Sequence, residues 1–223
     1  MKKFLCTLLA LALLCGAALA EVAYVTVTNG QGEFCLAQEP IEVSDMDGDG
    51  VLTVYDALYC AHESKYEGGA EAGFGAEDMG YGPSLTKLWG EDNGGSYGYY
   101  VNNAGCDSLA NPIEEGVHVQ AYAYQDLENW SDQFTFFEVA EENGTALTLT
   151  LNGIGFDADW NEVVSPVAGA AITVDGADTG LVTDENGRVT LDISESGAHI
   201  ISATSADAVL VPPVLAIGQE SVE

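Results

Sequence analysis

Asp45-Met-Asp-Gly-Asp-Gly-Val-Leu-Thr-Val-Tyr-Asp56 is the stretch on which the reading of this chain turns. Asp45, Asp47 and Asp49 alternate, so three carboxylates can turn inward around one cation. Gly50 stands at the sixth position, where such a loop bends sharply, and Val51 at the seventh offers its backbone carbonyl. Thr53 at the ninth position supplies a ligand or a bridging water. Asp56 at the twelfth closes the shell with a shorter reach than the usual Glu. The pattern predicts a calcium site of modest affinity built from Asp45, Asp47, Asp49, Val51, Thr53 and Asp56. The competing reading is an acidic Asp-Gly turn that merely starts a helix.

Outward from the loop, Ala57, Leu58 and Ala61 fall at helical spacing, which predicts a short helix over Val54 to Lys65. On the other side, Gln38 to Val43 contains Pro40 and alternates as an extended segment, so no helix enters the loop. A loop that ends in Asp and lacks an entering helix resembles one half of a bacterial dockerin. Dockerins carry two such repeats. The nearest second candidates, Asp157-Ala-Asp159-Trp-Asn161 and Asp184-Glu-Asn186-Gly187, read as ordinary turns.

At the start of the chain, Lys2 and Lys3 precede an apolar run from Phe4 to Cys15, and Ala18-Leu19-Ala20 supplies small residues before Glu21. Residues 1–20 therefore read as a secretory signal peptide, and Leu14 before Cys15 argues against lipoprotein processing. Without Lys2 and Lys3, three basic residues face 36 acidic ones, a formal charge of −33. So acidic a chain is a poor partner for nucleic acid or anionic membranes. The expected location is secreted or at the extracellular surface, with no membrane insertion.

Removal of the signal would leave Cys35, Cys60 and Cys106, which permit at most one internal disulfide among three open pairings. His62, His118 and His199 lie in no catalytic motif and read as structural. The sequence contains no Gly-x-Ser-x-Gly elbow, zinc-binding His-Glu-x-x-His, phosphate loop or dinucleotide fingerprint. A carboxylate pair of the glycosidase type remains open only because acids are abundant. The expectation is a protein that is not an enzyme.

Val22 to Thr28, Ser96 to Val101 and Val117 to Tyr124 alternate as strands between Gly and Asn or Asp clusters. Within this region, Tyr97-Gly-Tyr-Tyr-Val-Asn-Asn103 is followed by Glu115-Gly116 and an aromatic strand to Tyr124. That order resembles a bacterial domain of unknown function related to the C-terminal β-domain of transcobalamin and intrinsic factor. The likeness spans about Val22 to Glu138, with the acidic loop as an elaboration. It implies a β-rich domain with a corrinoid-like ligand, although the helical barrel that covers the other side of the corrinoid in those carriers is missing here. Trp89, Tyr97, Tyr99, Tyr100, Tyr122, Tyr124 and Trp130 form an alternative stacking platform for a glycan or flat ligand, or else pack as core.

Ala140-Glu-Glu-Asn-Gly144 reads as a linker. Beyond it, Ala168-Gly-Ala-Ala-Ile-Thr-Val174 and Thr183-Asp-Glu-Asn-Gly-Arg-Val-Thr-Leu191 have the strand and turn rhythm of a small β-sandwich. They resemble the immunoglobulin-like and carboxypeptidase-regulatory-like modules of bacterial surface proteins, which implies a spacer or adhesion unit over 145–211. The sequence therefore predicts a mainly β protein, α+β in its first domain. It has two small domains, 21–139 and 145–211, joined by 140–144 and followed by a tail at 212–223. The expected roles are a calcium-binding surface module, a small-ligand or glycan carrier, or an accessory subunit of an extracellular enzyme complex. Its partner would be a surface protein, a glycan or a small ligand.

Overall fold

The computed structural model describes residues 21–159, 161–193 and 197–218, so the expected signal peptide lies outside the described residues. The chain is mainly β. In its first half, β1 (Glu21–Thr28) and β2 (Phe34–Val43) form a hairpin, and the acidic loop leads into α1 (Val54–Lys65) and α2 (Gly69–Gly73). A small hairpin of β3 (Gly75–Asp78) and β4 (Pro83–Lys87) precedes β5 (Tyr97–Val101), β6 (Ala104–Gly105) and β7 (His118–Ala123). The main sheet has the order β2-β1-β7-β5-β6. Its centre is a parallel pair, β1 with β7, in which Tyr24 lies beside His118 and Val27 beside Ala121.

Helix α1 forms because Val54, Ala57, Leu58, Ala61 and His62 make one buried stripe at helical spacing. Thr53 caps it: the Thr53 hydroxyl accepts from the Asp56 amide while the Asp56 carboxylate accepts from the Thr53 amide, a reciprocal capping box. The stripe packs with Val25, Val27, Val43 and Val119 of the sheet in a single core. The sequence predicted one helix here, and the structure has a second, α2. Its five residues begin and end in glycine, too weak a periodicity to be read in advance.

The second half contains β8 (Gln133–Asn143), β9 (Ala146–Phe156), β10 (Glu162–Pro166), β11 (Ala171–Val174) and β12 (Ala177–Val182). It continues with β13 (Arg188–Asp192), β14 (His199–Thr204), β15 (Leu210–Val211) and β16 (Leu215–Ile217). One sheet runs β10-β9-β8-β15, with β13 also on β9, and the other runs β12-β11-β14-β16. Leu147, Leu149 and Leu151 of the first meet Ile172, Ile201 and Ala203 of the second in a shared core.

Two boundaries differ from the sequence reading. Residues 140–144 do not link domains: they extend β8 into a hairpin with β9, where Glu141 pairs with Thr148 and Asn143 with Ala146. Strand β15 covers β8 only at Gln133 and Phe134, so 138–143 form a sheet edge whose acids are exposed, and the composition mimics a linker. Strand β8 itself thereby joins the second half rather than the first. The expected tail at 212–223 also contributes structure, since β16 pairs with β14.

The halves touch through a third cluster, in which Tyr122 of β7, Phe134 and Phe136 of β8, Ile154 of β9 and Val211 of β15 are buried together. Two hydrogen bonds reinforce this contact. The Ala216 amide donates to Gln38 Oε1 at 2.7 Å, and Gln125 Nε2 donates to the Leu210 carbonyl at 2.9 Å.

Candidate metal centre

The acidic loop is held from both ends. On its exit side, the Val54 amide donates to Asn111 O at 3.0 Å, Tyr55 to Leu109 O at 2.9 Å, and Ile113 to Leu52 O at 2.9 Å. These bonds staple the start of α1 to residues 109–113. On its entry side, the Met46 amide donates to Asp56 Oδ1 at 2.8 Å, tying the first turn of the loop to the first turn of the helix.

Within the loop, Asp45 Oδ1 accepts from Gly48 N at 2.7 Å and Oδ2 from Gly50 N at 2.8 Å. Asp49 Oδ1 accepts from Val51 N at 2.8 Å. Gly50 has φ +87, the left-handed conformation expected of the sixth position. The wrapping places carboxylate oxygens of Asp45, Asp47 and Asp49 within 4.8 Å of one another. Oxygens bound to a common calcium at about 2.3–2.6 Å stand at most about 5 Å apart, so the three fit one hard cation.

The electrostatics follow from these contacts. The amides of Gly50 and Gly48 hold the Asp45 carboxyl below its ordinary range. At Asp47 the Asp49 amide pulls downward but is outweighed. Desolvation, the carboxylates of Asp49 and Asp56 and a side-chain hydrogen bond with Asp45 together leave its proton affinity raised. Crowded carboxylates that raise one another's proton affinity also gain from a shared cation.

The other three expected ligands are placed differently. Val51 is exposed on the loop, as a residue offering only its carbonyl can be. Asp56 is 0 % exposed, and its Oδ2 accepts from both the Thr53 amide at 2.9 Å and the Thr53 hydroxyl at 2.7 Å. Thr53 and Asp56 therefore cap the helix beneath the cluster, and the convergent set is Asp45, Asp47 and Asp49. The Thr-x-x-Asp spacing before an apolar run was the sequence signal for this role.

The expected aromatic platform does not assemble. Trp89 packs on His62 and Tyr66, with ring centroids 4.9 and 5.3 Å apart. Tyr97 and Tyr99 pack against the first core, and the Tyr97 hydroxyl donates to the Glu91 carbonyl at 2.8 Å. Tyr100, Tyr122 and Tyr124 sit instead in the cluster between the halves, where Tyr100 stacks on Phe134 at 3.6 Å. Trp130 stands apart, 67 % exposed.

Cys35, Cys60 and Cys106 are free and half-buried, so none of the three pairings is formed. Among the described residues, no helix is long and apolar enough to cross a membrane. No protein-family model, curated protein or solved structure matches the chain.

Proposed function

We propose that this chain is a noncatalytic calcium-binding module, secreted or carried at the cell surface, that serves to hold a ligand or partner. The observation that carries the reading is the convergence of Asp45, Asp47 and Asp49 within 4.8 Å in a loop stapled at both ends. The Val51 carbonyl is the fourth protein ligand, and water completes the shell. Calcium would lower the mutual repulsion of the loop and stiffen the start of α1.

Support for a noncatalytic role comes from the groups that could have done chemistry. His62 is buried and its ring nitrogens lie within hydrogen-bond distance of Leu58 O and Trp89 N. His118 Nε2 contacts Thr26 Oγ1 at 2.8 Å, and burial holds its proton affinity down, to about 4. Burial raises the Cys35 thiol to about 11, far from a neutral-pH nucleophile. The test is the melting temperature in chelator and in millimolar calcium. At free calcium about 100 times the dissociation constant, binding stabilises by about 2.7 kcal/mol. Equal melting temperatures would remove the site.

A further inference from the structure

The chain contains five Asn-Gly steps, at Asn29, Asn93, Asn143, Asn152 and Asn186. In such a step the backbone nitrogen of the glycine can attack the asparagine Cγ, because the following residue has no Cβ to obstruct the approach. The attack needs an amide side chain free to swing and a glycine N–H that is not held in a hydrogen bond.

At four of the steps the fold withholds one or both. Asn29 Oδ1 accepts from the Gln31 and Glu33 amides at 3.0 and 2.9 Å, and the Gly30 N–H donates to Glu91 Oε2 at 3.0 Å. Asn93 is buried, and its Nδ2 donates to the Ser96 and Tyr124 carbonyls at 2.8 and 3.1 Å. Asn152 is buried and donates to Glu138 Oε2 at 2.9 Å. At Asn186 the glycine is the restrained partner: Gly187 is buried, and its N–H donates to the Asp184 carbonyl at 2.9 Å.

Asn143 is different. It ends β8 at the tip of the hairpin, paired with Ala146 across the two-residue turn Gly144-Thr145. Gly144 has φ +64 at the first central position of that turn, where glycine is favoured, so the fold itself places a glycine after this asparagine. Residues 138–145 are all exposed, so both faces of the ribbon meet solvent here. Among the described residues, neither the Asn143 side-chain amide nor the Gly144 N–H has a hydrogen-bond partner. Ring closure also requires the extended Asn143 backbone to rotate about ψ, and an uncovered tip is where a ribbon opens at least cost.

We infer that Asn143-Gly144 is a self-modification site, at which the folded protein slowly converts Asn143 to aspartate and isoaspartate. Gly144 N gives its proton to solvent base and bonds to Asn143 Cγ; the Cγ–Nδ2 bond breaks, and Nδ2 leaves as ammonia. Water then opens the cyclic imide. Attack at Cγ yields aspartate, and attack at the backbone carbonyl carbon yields isoaspartate, with no oxidant or reductant involved. Either product adds a carboxylate to a tip that already carries Glu141 and Glu142. Isoaspartate also inserts a methylene into the main chain, which takes residue 143 out of register with Ala146. The site depends on neither calcium nor a bound ligand.

Peptide mapping by mass spectrometry tests it on the full chain, aged in mildly alkaline buffer at body temperature and, in parallel, in guanidinium chloride. In the native chain Asn143 should deamidate at least roughly tenfold faster than the other four, which must first give up hydrogen bonds worth roughly threefold to tenfold apiece. In denaturant the four should catch up. Both aspartate and isoaspartate are expected at position 143, and Asn143→Gln, whose side chain would have to close a larger ring, should remove the first-formed deamidated fraction. An unmodified Asn143 in the aged native chain would overturn the inference, as would any of the other four reacting as fast. A rate difference that survives in denaturant, aspartate without isoaspartate, or an undiminished first-formed fraction in Asn143→Gln would each overturn it too.

Discussion

The Trp89 amide donates to His62 Nε2 at 2.9 Å, and His62 Nδ1 donates to the Leu58 carbonyl at 2.6 Å, so the buried ring is held as one neutral tautomer. Trp89 reaches this position with φ +51, a left-handed conformation unusual for a large side chain. The histidine thus anchors the loop after β4 to helix α1.

Acid should undo this anchor. Burial lowers the His62 proton affinity from 6.5 to about 4, because a charged ring would lose its solvation and its bond from Trp89. The unfolded chain protonates first as pH falls, so the stability is fully present above about 6.5 and is lost between about 6.5 and about 4. That fall corresponds to about 3 kcal/mol at about 1.4 kcal/mol per tenfold change. His118 follows the same course. Urea unfolding across this range should show the decline, and His62→Gln should make it shallower, leaving the part that His118 supplies; an unchanged slope in the variant would refute the assignment.

Asp49→Ala and Asp56→Ala should fail differently. Asp49 belongs to the convergent carboxylates, so its loss should remove the calcium-induced rise in melting temperature while leaving the chelator value unchanged or higher. Asp56 caps α1 from a fully buried position, so its loss should cost about 1–3 kcal/mol with or without calcium. An Asp56→Ala protein that melts normally in chelator would contradict the capping role.

Calcium affinity should fall on acidification. Asp47 has a raised proton affinity, so protons compete with the cation for its oxygens. Calorimetric titrations at successively lower pH should show a rising dissociation constant together with proton release on binding. A pH-independent constant over the range where Asp47 titrates would count against this ligand.

Gly98→Ala should destabilise the contact between the halves. Gly98 is the register partner of Tyr122, and a Cβ there would overlap the Tyr122 ring. Tyr122 would have to leave its place among Phe134, Phe136 and Val211, at about 1–3 kcal/mol. Denaturant unfolding measures the loss. Tyr122→Leu in the Gly98→Ala background should recover part of it, since the smaller side chain makes room for the methyl group.

How much was legible depended on whether the signal was local. The limits of α1 were readable at both ends, since Val54 to Lys65 carries an apolar stripe immediately after its cap. The carboxylates of Asp45, Asp47 and Asp49 converge as their alternation suggested. The division of the tyrosines was also available: Tyr99 and Tyr100 are neighbours on one strand and must face opposite ways. Partner choice was not. Nothing local says that β1 lies parallel to β7, or that the acidic run 140–144 is the tip of a hairpin, because both depend on strands elsewhere in the chain.

The parallel pairing of β1 and β7 also sets an order of events during synthesis. Thr26 meets His118 across 92 residues, a span that takes roughly 5 to 20 s to translate. For that interval β1 has β2 on one side and an open edge on the other, the kind of edge that invites pairing with another chain. The acidic loop and α1 are made within this window and can dock on the nascent hairpin before the sheet closes. Closure then waits on a distant contact, the kind whose loop must be closed before the pairing stabilises anything.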